Sequence, residues 1–173
     1  AVTAFSPNAE APVFFGNRYV SHPDYVDLRD RAQSYSSLMA YTVILTGFAS
    51  NSDEPPQRKL GLGVTGNFFD VLDLQPALGR FFVPEEDRVP GRDAVIVLAH
   101  ETWAEQFGSD PAVLGRRVRV GGGDFTVIGV APASFTGMHL VLPPNFYVPM
   151  AMTPSLAGES PRALEQRQAR AID

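Results

Sequence analysis

The 173-residue chain contains no cysteine, which excludes disulfides, thiolate nucleophiles and Cys-ligated zinc or iron–sulfur centres together. Lysine is almost missing: 13 arginines stand against the single Lys59. No Ser-x-x-Lys pair therefore exists, and no Gly-x-Ser-x-Gly elbow occurs either. The longest apolar run, Ala94 to Ala99, is far short of the ~20 residues that cross a bilayer. The opening residues show no basic segment followed by an apolar one, the pattern of a signal peptide. With 14 basic and 19 acidic residues the formal charge is −5, which argues against a sequence-independent grip on nucleic-acid phosphates. The first residue is Ala1 and the last, Asp173, falls inside a helical pattern, so a segment of a longer chain is expected.

What is present points to many short elements. Glycine and proline number 15 each, and 45% of residues are apolar, enough for one ordinary core or two small lobes. Ser21 to Arg31 reads as a helix, with Ser21 as N-cap and Pro23 in the first turn. β-Branched and aromatic residues predict strands over Leu38–Ala49 and Gln57–Thr65, separated by a turn at Asn51–Pro56. Asn67–Leu72 reads as a short helical turn and Pro76–Gly91 as irregular. Ala94–Leu98 has the continuous apolar run of a buried strand. His100–Phe107 reads as a short helix stopped by Gly108. Two period-2 runs, Arg116–Val120 and Phe125–Val130, flank a turn at Gly121–Asp124 and predict a hairpin. Asn145–Pro149 reads as a short strand and Arg162–Ala171 as a final helix.

The candidate motifs weaken on inspection. Gly61-Leu62-Gly63-Val64-Thr65-Gly66 matches G-x-G-x-x-G, but polar residues precede it and its glycines alternate with Leu62 and Val64. That is the pattern of an edge strand or bulge rather than of a pyrophosphate turn opening a helix. His100-Glu101 begins an H-E-x-x-H helix, yet Ala104 stands where the second histidine belongs. His22, His100 and His139 are far apart in sequence. The acidic run Glu85-Glu86-Asp87 follows Pro84, as at a solvated helix start. Arg116, Arg117 and Arg119 form a basic spot within a net-negative chain. Phe135, Met138, Leu140 and Leu142 place large apolar side chains in a loop, where they either fold back onto the core or contact a partner.

The ordered string of segments is more specific than any one motif. Pro23-Asp24-Tyr25-Val26-Asp27-Leu28-Arg29 resembles the opening helix of MacB-like periplasmic core domains of ABC transporter permeases. Val64-Thr65-Gly66-Asn67-Phe68-Phe69-Asp70-Val71-Leu72, followed by Pro76-Ala77-Leu78-Gly79-Arg80-Phe81-Phe82, is similar to that family's next blocks. Pro84-Glu85-Glu86-Asp87, Val95 to Leu98, Trp103 with Phe107-Gly108, Asp110 to Gly115, Phe125 to Pro132 and Tyr147-Val148-Pro149 continue the resemblance, which spans about residues 21 to 150.

The resemblance implies an α+β extracytoplasmic domain with mixed small sheets and short helices. It would have a porter-like βαβ lobe and an inserted β-rich lobe holding the hairpin. Residues 1–66 would be the first porter half, 67–150 the inserted lobe, and 151–173 the start of a truncated return segment. The implied role is non-catalytic: coupling the motion of transmembrane helices, driven by a cytoplasmic ATPase, to efflux or release outside the bacterial inner membrane. The implied partners are the rest of the permease, its ATPase subunit, and an extracytoplasmic protein or second copy, with no nucleic acid. No catalytic, cofactor or metal residue is carried over. Phe135, Met138, Leu140 and Leu142 are the partner-contact candidates. A competing reading is a small-ligand or lipid-binding module between the lobes, which an apolar cavity at Phe68, Phe69, Phe81 and Phe82 would favour.

Overall fold

The computed structural model describes residues 3–5, 25, 27, 38–51, 54–138 and 143–156. Strand β2 (Met39–Ala49) forms where β-branched and aromatic residues are densest, and β3 (Gln57–Val64) returns antiparallel to it, Tyr41 opposite Val64 and Phe48 opposite Gln57. The short β1 (Thr3–Phe5) pairs with the start of β2. Downstream lie β4 (Leu78–Gly79), β5 (Val95–Leu98), β6 (Arg117–Val120), β7 (Gly123–Val130) and β8 (Phe146–Pro149). Short α-helices accompany them, among them α1 (Phe68–Val71), α2 (His100–Phe107) and α3 (Thr153–Leu156). The α+β class inferred from sequence holds. Tyr25 and Asp27 are helical, as expected of the Ser21–Arg31 segment; the rest of that segment and the expected helix at Arg162–Ala171 lie outside the described residues.

The eight strands of the described residues belong to one mixed sheet, where mixed small sheets were expected. The pairings run β2–β3–β8–β5–β7–β6, and β6 returns to β2 through Phe48 opposite Val120 and Ala49 opposite Arg119. Six strands thus form a closed circuit, with β1 and β4 attached at its sides. β3 is paired on both flanks, so it is not the edge strand that its polar opening suggested.

Alternation along the strands separates two apolar layers. Phe48, Ile96, Leu98, Val118, Val120, Phe125, Val127, Phe146 and Val148 fill the inside of the circuit, with Phe107 and Met152 joining the same cluster. Leu62, Val64, Val97 and Tyr147 face outward beneath α1 and Phe81–Phe82. β5 and β8 are buried on both faces, which explains the unbroken apolar run Val95–Leu98.

β8 is seated by Asn145. Its backbone N–H donates to the Leu60 carbonyl (2.7 Å), its side-chain oxygen accepts from the Leu60 N–H (3.3 Å), and its carbonyl accepts from Ala99 (3.0 Å). The hairpin turn is tighter than the sequence suggested. Gly121 and Gly122 alone make it, both at positive φ (58° and 87°), while Gly123 and Asp124 already pair with Val120 and Arg119. Gly108, at φ 59°, ends α2 as expected. β4 lies in the stretch read as irregular.

The glycines of the fingerprint-like motif have a packing role. A Cβ at position 61 would overlap the Phe146 ring, and one at 63 would overlap the Thr153 methyl. Gly61→Ala should therefore lower stability by about 1–3 kcal/mol, the usual cost of forcing an extra carbon into a filled core. Urea unfolding of the purified chain checks this, and an unchanged midpoint would show that the Phe146 ring moves aside freely.

Candidate functional site

Several side-chain hydrogen bonds gather in the segment after β4. Pro84 opens a single 3₁₀ turn, Pro84–Asp87, where its missing N–H and fixed φ cost nothing. Glu86 reaches back to accept from the Val83 N–H (3.0 Å) and takes both ends of the Arg80 guanidinium (2.9 and 2.7 Å). The Arg80 hydrogen bond holds the Glu86 carboxyl below its ordinary range. Partial burial opposes this, and the Val83 N–H and the Arg80 charge reinforce it. Glu85 makes an exposed pair with Arg88 at 3.3 Å.

Asp87 does something different. One carboxylate oxygen accepts from the Gly66 N–H (3.2 Å) and the other from the Ala151 N–H (2.8 Å). Gly66 follows β3 and Ala151 follows β8, and those strands are parallel neighbours with Val64 beside Pro149. Their C-terminal exits therefore emerge side by side, and one carboxylate spans both. The Gly91 N–H closes the arrangement by donating to the Ala151 carbonyl (3.0 Å). Gly66 is needed for the approach: a Cβ there would lie 2.9 Å from the Pro84 Cα and 3.1 Å from the Val83 carbonyl oxygen. Charge-assisted bonds of this kind are worth on the order of 1.5–3 kcal/mol each. Glu86 and Asp87 thus fasten backbone while Glu85 stays a surface charge, and among the described residues no group of His, Asp or Glu is placed to hold a metal ion.

The positions proposed to line an apolar chamber are filled by one another's rings. Phe69 stacks on Phe81 at 3.9 Å, with Phe68 at 5.2 Å and Phe82 at 5.9 Å. All four are buried. That solid packing counts against a ligand chamber there. Phe135 packs 5.9 Å from Tyr147, and both Phe135 and Met138 lie half-buried against this layer. Leu140 and Leu142 lie outside the described residues, as do His22 and His139. The Tyr147 hydroxyl is buried without a hydrogen-bond partner, and burial raises its pKa. His100 opens α2 and meets Trp103 edge-on at 5.5 Å.

Sequence reasoning missed Asp87. Its partners lie 21 and 64 residues away, and the only local signal was proline followed by acids.

A family profile described as the MacB-like periplasmic core domain matches residues 2–171. Among curated protein sequences, none matches. The periplasmic region of MacB from Actinobacillus actinomycetemcomitans is similar in structure, with TM-score 0.65 and 19% identity, over 92% of this chain and 69% of that one. The extracellular domain of the ABC-type transporter YknZ from Gram-positive bacteria gives TM-score 0.62 and 18% identity, over 91% and 78%. At such identities the likeness shows the fold.

The Arg80–Glu86 pair sets a pH dependence. Because the folded-state pKa of Glu86 lies below its ordinary 4.5, its contribution is complete above that value. It disappears as pH falls through the lower folded-state value. Glu86→Gln should be less stable than the parent at neutral pH, and the difference should close on acidification below about pH 4. Thermal unfolding across pH 3–7 measures this, and a gap that widens in acid would contradict it.

Proposed function

This chain belongs to the family of MacB-like periplasmic core domains, and from that membership we infer that it works by transmitting displacement rather than by catalysis. It is the periplasmic domain of an ABC transporter permease, a family whose members work with transmembrane segments and a cytoplasmic ATPase. In our reading, ATP-driven motion of the membrane helices reaches this domain and is converted into efflux or release outside the inner membrane. Residues 1–66 form the first porter half, 67–150 the inserted lobe and 151–173 the start of the return. The half-buried flank at Phe135 and Met138 is the contact with the rest of the assembly.

The observation that carries this reading is the Asp87 clamp. Gly66 and Ala151 mark the two places where the chain crosses between the proposed lobes, and one side chain from the inserted lobe fastens both. A load on either strand exit then reaches the same turn. Filled apolar layers on both faces of the sheet suit this role, because close-packed interiors pass on strain instead of absorbing it.

The test uses the full permease with its ATPase in lipid discs. The described segment contributes no cysteine of its own, so Glu101→Cys on α2 takes a single environment-sensitive fluorophore. ATP should change its signal in the parent. Asp87→Ala should reduce that response roughly fivefold or more while ATP hydrolysis continues, and Asp87→Asn, which keeps one acceptor oxygen, should fall between. A folded Asp87→Ala permease with the full response would overturn the reading.

A further inference from the structure

A basic cleft opens where the end of β2 meets the base of the β6–β7 hairpin. Its volume is about 360 Å³, and Ser50, Asn51, Val118 and Asp124 line it together with Arg116, Arg117 and Arg119. The three arginines fall within four positions of a chain whose net charge is −5, a local reversal of sign.

The arginines are presented on a fixed frame. Val118 and Val120, which alternate with Arg117 and Arg119, are fully buried in the inner layer. β6 is paired along its whole length with β7 and, at Arg119 and Val120, with β2. Successive outward residues on such a strand stand about 6.5–7 Å apart, so guanidiniums at 117 and 119 can reach the same oxyanion. Arg116 lies over the Phe107 ring, 5.4 Å from its centre, and so has already lost part of its rotamer freedom.

Carboxylates compensate little of this charge. Asp124, directly across from Arg119, is 4.0 Å away, at the limit of an ion pair. Arg117 stands opposite Thr126. Among the described residues neither Arg116 nor Arg117 makes an ion pair. Glu54 approaches from the β2 end but is taken by the Ser50 hydroxyl at 2.5 Å. The charge at Arg117 serves no packing role, since the residue is exposed.

We propose that this cleft binds a phosphate-bearing ligand, held by Arg117 and Arg119 with Arg116 at its side. Planar guanidinium forks fit a phosphate in paired hydrogen bonds, which single ammonium groups do not. The site is independent of the coupling role.

The full chain is titrated with inorganic phosphate at constant ionic strength while the amide resonances of β6 are followed. Saturable shifts at Arg117, Val118 and Arg119 are expected, with none from chloride alone. The Arg117→Gln/Arg119→Gln double variant should bind at least about tenfold more weakly, with an unchanged unfolding midpoint because both side chains are exposed. Flotation with phosphatidylglycerol and phosphatidylcholine vesicles separates the sources. Retention on the anionic vesicles alone, lost in the double variant, assigns the phosphate to lipid headgroups; phosphate binding without retention assigns a soluble phosphate ester. Absence of saturation, equal binding by the double variant, or binding of a poly-glutamate peptide in place of phosphate would overturn the proposal.

Discussion

Strand β8 is the constraint on which the rest of this structure depends. Only four residues long, it is parallel to β3 on one side and antiparallel to β5 on the other, and it joins the early strands to the late ones. Among the described residues the other strand pairing between them is the two-residue contact of β6 with β2. Every residue of β8 is buried. Phe146 and Val148 enter the inner layer while Tyr147 enters the outer one, so a single segment anchors both. Phe146 fits because Gly61 leaves it room, and it stacks on Phe48 at 5.7 Å.

Placing β8 beside β3 has a consequence downstream. Parallel neighbours end at the same edge, so Gly66 and Ala151 come within reach of one side chain although they are far apart in sequence. Asp87 uses that proximity, and the Arg80–Glu86 pair holds the turn that presents it. Strand order, glycine packing and the carboxylate clamp are thus steps of one chain of cause. The proposed transmission of displacement rests on this arrangement.

The features legible in the sequence were the local ones. The hairpin shows itself through the alternation of Arg116–Val120 and Phe125–Val130 around glycines, and α2 through its apolar face and Gly108. In the G-x-G-x-x-G match, Gly61 and Gly63 sit within β3, as their alternation with Leu62 and Val64 indicates, while Gly66 follows the strand. Long-range features did not show. The pairing of β3 with β8 joins Gly61 to Phe146, and nothing near either residue announces the other. The short β4 escaped because two residues carry no period. Asp87 looked like its acidic neighbours Glu85 and Glu86, and only the fold separates a surface charge, a guanidinium partner and a double backbone acceptor.

The central claim is that this domain moves as one body when the permease cycles. Paired spin labels test it most directly: one pair within the domain at the exposed Glu101 and Asp70, and one pair linking Glu101 to the outer end of a membrane helix. Distances are recorded in the full permease with and without trapped ATP. The account predicts an unchanged separation within the domain and a displaced one between domain and membrane. A separation within the domain that changes with nucleotide, or a domain that stays fixed relative to the membrane, would contradict it.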